Sequence, residues 1–433
     1  MKSLFAQRLL NIIMGVITLI IVPLTLTPIE QGYYYLVFSL IALQVFFEMG
    51  LNFVLAQVAG HEFAHLKINS AGELKGNKKN IERFVNLWNK TNLIYLAIAI
   101  AFFLIALPVG WHFFSIKGDF QDNQWANQWI TIVFLNALMI YASPKLSILE
   151  SIGYLHKVAQ LRFYTSTIGF PFVWIALYLK MGLWSIAVLM LIQNIMTYTW
   201  LFAYAPYKWK LNKKNIIISS DQIAWKTEIL PMQWKVAIGS ISGYLIFQAF
   251  TPIILLNRGS IEAGRVGLAL NIFNSLTTLG MTFVNANTPM MLRHIAFKNR
   301  ELLNSIFIKS VKYGLAFTIF SCLGILILVW YLNSAEIAIA SRISELKVLL
   351  CLAIVTIVNI LIFSAAAYMR AHKVEPMLIP TILGGFLTLS AVYFGSLIDS
   401  VTPFVLYAAS TLFIGLPWTW FLFKRYYYFS KIY

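Results

Sequence analysis

Amides, hydroxyls and a carboxylate recur at helical spacing inside otherwise apolar stretches of this 433-residue chain. Gln44, Glu48 and Asn52 stand at i, i+4 and i+8, and Asn271, Asn274, Thr278, Thr282 and Asn285 advance by 3, 4, 4 and 3 residues, so each set marks one helix face. Gln248 adds an amide in another apolar run. Lys145 and Arg258 bring positive charge close to expected helix ends, with Arg8 and Arg293 at the inner mouth. Such a set could replace water around a polar cargo and offset negative charge on it. The plainer reading of the stripes is hydrogen-bond glue between packed helices. Two stripes in corresponding places favour the lining of a passage. Glu48 sits deeper in its helix than any other acid; pairing with a cation or capping backbone is its first reading, and proton or cation coupling its second. Snorkelling to the interface explains Lys145 and Arg258 as readily as cargo binding does.

A rival chemistry lies in His61-Glu62-Phe63-Ala64-His65. The H-E-x-x-H spacing sets two imidazoles on one helix face, where they hold zinc with the glutamate as base. A membrane metalloprotease needs a third ligand, and no downstream acidic motif offers one convincingly. The motif also falls where a helix leaves the membrane, a usual place for polar residues. Metal is therefore not expected. No G-x-x-x-x-G-K-[ST] occurs, which argues against ATP hydrolysis by this chain.

Elements that could position these residues follow from composition. With 60% hydrophobic and 11% charged residues the chain is no soluble domain, which carries about 25% charged residues. The apolar runs are long and without alternation, so the expectation is an all-α integral membrane protein rather than a barrel. Helices are expected near 9-27, 33-59, 91-114, 129-149, 164-179, 183-204, 236-257, 266-292, 313-332, 347-369, 376-395 and 402-423, about twelve in all. Tyr33, Tyr34 and Tyr35 suit the interface at the start of the second. That helix, about 27 residues long, implies tilt or projection into the cytoplasm.

With both termini on one side, 27 of the 33 Lys and Arg fall on that side and 6 on the other. This satisfies the positive-inside rule, so both termini are expected in the cytoplasm. The net charge of +17 is thereby a topology signal and not a nucleic-acid footprint. Cys322 and Cys351 fall inside expected helices and support neither a disulfide framework nor a metal site. The expected division is a lobe at 1-204, a cytoplasmic linker at 205-235 and a second lobe at 236-433. His61 to Lys90 reads as a solvated cytoplasmic loop leading into an amphipathic entry to the third helix, and Lys180-Met181-Gly182 as the turn of an antiparallel helical hairpin.

The halves are related. Ile29-Glu30-x-Gly32 recurs as Ile261-Glu262-x-Gly264, 232 residues later, and His156-Lys157-Val158 as His372-Lys373-Val374, 216 later. A repeat of this size in a polytopic chain implies a transporter of two like halves with its substrate site at their interface. Six helices per half make the repeat parallel.

At Gly32-Tyr33-Tyr34, Glu48-Met49-Gly50-Leu51 and Gly153 with His156-Lys157, the chain resembles the O-antigen and polysaccharide flippases of the multidrug, oligosaccharidyl-lipid and polysaccharide exporter superfamily. The resemblance implies a V-shaped fold of two six-helix lobes in a bacterial inner membrane. It also implies transfer of undecaprenyl-pyrophosphate-linked oligosaccharide between leaflets by alternating access. The pyrophosphate would meet Lys145 and Arg258, the sugar hydroxyls the stripes, and the prenyl tail could stay in lipid. No cofactor is expected, with coupling to H+ or Na+ left open. Membrane lipid and a polysaccharide polymerase are candidate partners, and nucleic acid is not. The resemblance also admits a cation-coupled drug or small-molecule antiporter. Glu48 departs from the aspartate common at that position.

Overall fold

Backbone amides in hydrocarbon must find partners within their own segment, which leaves helix as the conformation open to long apolar runs. A computed structural model of the chain describes residues 2–68, 74–116, 119, 125–203, 223–372 and 376–429. Among the described residues, each of the twelve apolar runs is mostly helical. The helices are α1 (Lys2–Thr25), α2 (Pro28–Ile41), α3 (Gln44–Glu48), α4 (Leu51–Phe63), α5 (Lys78–Ile116), α6 (Trp125–Leu149), α7 (Leu155–Tyr178) and α8 (Trp184–Ala203). They continue with α9 (Leu230–Phe247), α10 (Phe250–Arg258), α11 (Ser260–Ala296), α12 (Arg300–Ser334), α13 (Leu346–Ala371), α14 (Leu378–Ile398), α15 (Thr402–Ser410) and α16 (Leu416–Phe429). Among the described residues, 8 helical stretches are long and apolar enough to cross a membrane, or 10 with two bent pairs each taken as one span. One of the 8 runs for 54 residues, Trp125–Tyr178. At about 1.5 Å per residue that is far longer than a hydrocarbon core of about 30 Å. It is broken by a π turn, Glu150–Tyr154, in which Gly153 has φ 106°. The chain is a multi-pass, all-α membrane protein.

Packing divides the chain into two units, residues 1–21 with 40–241, and 22–39 with 242–433. In the first, α5 packs on α6, α7 on α8, and α6 on both α4 and α8. In the second, α11 packs on α12 and α13, α10 on α14, and α13 on α15 and α16. A core of Met281, Val284, Met291, Leu303, Phe307, Ile360 and Tyr368 joins α11, α12 and α13. The stretch 22–39 thus travels with the second unit. Of the expected linker, residues 205–222 lie outside the described ones.

Four expectations are corrected. The second expected helix is not continuous: Met49 (φ 46°) and Gly50 (φ 68°) take left-handed conformations, and the chain bends by 49° between Pro28–Glu48 and Leu51–Phe63. Asn52 therefore lies beyond a break from Gln44 and Glu48, and the three do not share one unbroken helical face. The reason is local, since a side chain on Gly50 would meet Val236 Cγ1 at 2.2 Å and only glycine takes that conformation freely. The tyrosines at 33 to 35 are buried rather than interfacial. The expected solvated loop instead holds an antiparallel hairpin of β1 (Leu66–Ile68) and β2 (Leu74–Gly76). Finally, α5 and α12 begin 13 residues before their expected starts, because hydropathy marks where a helix meets lipid and not where it begins.

Candidate functional site

A polar face on an unbroken helix is the clearest feature. Helix α11 runs 37 residues without a break, capped by the Schellman-like turn at Phe297 to Asn299. One side is buried, through Ala263, Val266, Phe273, Thr277, Met281 and Val284. On the other, Asn271, Thr278 and Asn285 are exposed, with Asn274 and Thr282 half-buried between them. Part of their hydrogen-bonding capacity is committed to their own helix. Asn271 Nδ2 donates to Gly267 O at 2.8 Å, Thr278 Oγ1 to Asn274 O at 2.9 Å, and Thr282 Oγ1 to Thr278 O at 3.0 Å. What this face presents outward is both amide N–H donors and oxygen acceptors. Amide and hydroxyl oxygens exposed to lipid tails would be costly, so such a row belongs against water or a hydroxylated ligand. Arg293 is exposed toward the end of the same helix, its guanidinium 5.7 Å from the Phe297 ring, in an open recess of about 370 Å³ shared with Met290, His294 and Asn299.

The other amides are spent on neighbours. Gln44 Oε1 accepts from Asn136 Nδ2 of α6 at 3.2 Å, and Asn52 Nδ2 donates to Ser143 Oγ of α6 at 3.1 Å. Glu48 lies beside the Tyr95 phenol of α5. These three join helices within the first unit. Asn136, Tyr95 and Ser143 were not singled out from sequence, although an asparagine in the middle of an apolar run is a visible signal. Gln248 is half-buried at the 40° bend between α9 and α10.

Of the cations, Lys145 is half-buried, its Nζ 3.3 Å over the Tyr141 ring and donating to Tyr141 O at 3.0 Å. Arg258 closes α10, its Nε donating to Ser396 O at 2.5 Å, while Asn257 Nδ2 donates to Ser396 Oγ at 2.7 Å. Asp399 follows α14 in the turn before α15. N–H donation from Thr402 and Val401 and the nearby charge of Arg258 hold its carboxyl below the usual range. The Arg8 side chain lies outside the described residues.

Glu62, the would-be base of the zinc motif, is buried and held by Arg83 of α5, which reaches it through Nε at 3.0 Å and Nη2 at 2.9 Å. Arg83 also binds Glu228, in the π turn Trp225–Ile229 that enters α9. The His61 and His65 rings stand 6.1 Å apart in a T-shaped arrangement. Among the described residues no group of three His, Cys, Asp or Glu could hold a metal. Arg83 was missed from sequence: its partners Glu62 and Glu228 lie 21 and 145 residues away, in other elements.

No protein-family model matches the sequence. No curated protein matches it either. Solved structures do. The chain is similar to the lipid II flippase MurJ in an inward closed conformation, with a TM-score of 0.66 and 14% identity, over 98% of this chain and 87% of that one. It is similar to a multidrug resistance MATE family transporter of the MOP superfamily in its inward-facing conformation, with a TM-score of 0.64 and 13% identity, over 97% and 95%. A MOP superfamily transporter from Pyrococcus furiosus, described as having a binding pocket of reverse polarity, gives 0.55 and 12%, over 98% and 94%. At such identities the likeness is one of fold: the chain has the all-α, two-lobed fold of MOP-superfamily transporters.

Proposed function

We propose that the protein is a flippase that moves an undecaprenyl-pyrophosphate-linked oligosaccharide, an O-antigen or other surface-polysaccharide repeat unit, across a bacterial inner membrane by alternating access. The observation that carries this reading is the partly exposed row of amides and hydroxyls on α11. Sugar hydroxyls both donate and accept, and a helix face of amides and hydroxyls offers them partners in place of water. Arg293 on the same helix, with Lys145 and Arg258, supplies positive charge for a pyrophosphate. The likeness of fold to a lipid flippase supports the same reading. The two packing units, 1–21 with 40–241 and 22–39 with 242–433, would be the moving parts in place of the expected lobes 1-204 and 236-433, with both termini in the cytoplasm as the distribution of Lys and Arg implies. A polysaccharide polymerase is the partner this role would call for.

A second reading is a cation-coupled drug antiporter, favoured by the likeness to the MATE transporter and by Glu48 beside Tyr95 within a membrane helix, where an ionisable group suits H+ or Na+ coupling. Deletion of the gene separates the two. Lipid-linked repeat units accumulating on the inner leaflet, with unchanged drug susceptibility, support the flippase. Normal surface polysaccharide with heightened drug sensitivity overturns it.

A further inference from the structure

The second unit contains a cavity of about 150 Å³, walled by α9, α13, α14, α15 and α16. Ile246, Phe247, Ile362, Phe363, Leu387 and Ile414 supply much of its wall, and no charged side chain lines it. Five hydroxyl side chains also line it, and each has committed its proton to its own helix. Thr381 donates to Met377 O, Thr388 to Gly384 O, Ser410 and Thr411 to Tyr407 O, and Thr419 to Gly415 O, all within 2.7 to 2.9 Å. Asn359 and Tyr407 hydrogen-bond each other. An anion finds no cation there and a metal ion no carboxylate. The recess is half open, with Leu383 and Ile414 exposed at its rim, and its mostly apolar wall suits a compact hydrocarbon segment entering from the side.

Two features keep the space open. The last span is interrupted by a π turn, Thr411–Gly415, of the kind that recurs at functional sites. Gly243 and Gly384 leave the wall bare: a Cβ on Gly243 would meet nothing within 4 Å, and one on Gly384 only Ile246 Cδ1 at 3.8 Å. Side chains would fit at both places, yet none is there.

We infer that this cavity is a binding site for a branched isoprenoid segment of the cargo's lipid anchor, so that the anchor is held by the protein and does not simply trail in the bilayer. The inference rests on the reading of the cargo as polyprenyl-linked. About one isoprene unit fits the volume, by comparison with the benzene-sized guest of a cavity equally large.

The test uses the full chain in nanodiscs, labelled with undecaprenyl phosphate bearing a terminal benzophenone. A parallel arm uses phosphatidylglycerol with a diazirine on its acyl chain, and adducts are mapped by peptide mass spectrometry. The prenyl probe is expected on peptides of α9, α13, α14 and α16. In Gly243→Leu and in Gly384→Leu labelling falls about tenfold, as excluding about two methylene groups from the site requires. Thermal unfolding confirms that each variant is folded. Prenyl adducts elsewhere, labelling unchanged in both variants, or equal labelling by the acyl probe would overturn the inference. Its failure is distinguishable from failure of the flippase reading. Adducts in the cavity of a protein whose deletion leaves polysaccharide intact refute the transport role alone, whereas accumulated lipid-linked units with adducts elsewhere refute the cavity alone.

Discussion

Gly32 and Gly264, the same position in the two copies of the Ile-Glu-x-Gly motif, lie backbone to backbone. A Cβ on Gly32 would stand 2.0 Å from Ser260 O, and one on Gly264 2.8 Å from Gly32 N. Gln31 Nε2 braces the crossing, donating to Gly264 O at 3.0 Å and to Arg342 O at 3.1 Å. A motif whose copies touch each other leaves room for no side chain at either place. Because backbone must move to admit a methyl group, Gly32→Ala should cost at least about 1–3 kcal/mol, and Gly264→Ala less. Thermal unfolding of the detergent-purified protein checks this, with Gly239→Ala as the control, since nothing lies within 4 Å of its Cβ.

The exposed face of α11 makes a different demand. The triple variant Asn271→Leu, Thr278→Val and Asn285→Leu removes polar groups that contribute nothing to the core, so stability should change by no more than about 0.5 kcal/mol per site. Surface polysaccharide should nevertheless fall to the level of the gene deletion. Undiminished polysaccharide at normal protein abundance would remove the passage from this helix.

Arg83 satisfies two glutamates at once. Arg83→Ala strands the buried Glu62 carboxylate and should destabilise by about 2–4 kcal/mol, toward the lower end of what breaking a buried pair costs, because the site is partly wet. Glu62→Gln keeps an oxygen for Arg83 and should retain export. Export should also survive a metal chelator, and its loss would reinstate the zinc chemistry of the His61-Glu62-x-x-His65 motif.

Lys145→Ala and Arg258→Ala should each lower polysaccharide with abundance unchanged. Arg258→Lys should rescue poorly, because an ammonium group cannot reproduce the guanidinium geometry at Ser396 O. Quantifying polysaccharide against immunoblotted protein decides the matter, and unaltered export in both alanine variants would end the role of these cations.

The Asp399 turn has a pH signature. Its folded carboxyl titrates below the ordinary value of about 3.9, so its contribution to stability is complete above that value and is lost as pH falls through the depressed one. Unfolding temperatures of the solubilised protein measured downward from pH 5 should drop more steeply than those of Asp399→Asn.

Hydrophobic runs long enough to span lipid carried most of the fold, because in hydrocarbon a continuous apolar run has little choice but helix. What sequence could not carry were local backbone exceptions. Nothing about Met49 announces a positive φ, so Gln44, Glu48 and Asn52 read as one stripe when a bend divides them. The α11 stripe was legible because its helix is unbroken and its period undisturbed. Pairings across great sequence distance, such as Arg83 with Glu228, leave no mark in a single chain. The cavity beside Gly243 is equally silent in sequence, since it consists of side chains that are not there.

The bend after Glu48 also has a splint. Gln233, near the start of α9, donates through Nε2 to Met49 O at 2.8 Å, reaching the one stretch where α3 has ended and α4 has yet to begin. Withdrawing that amide would leave an exposed carbonyl without its partner, at about 0.5–1.5 kcal/mol. The joint is thereby fastened to the start of α9 within one residue of Glu48, so a change in the angle of the bend must either carry Gln233 with it or break that bond.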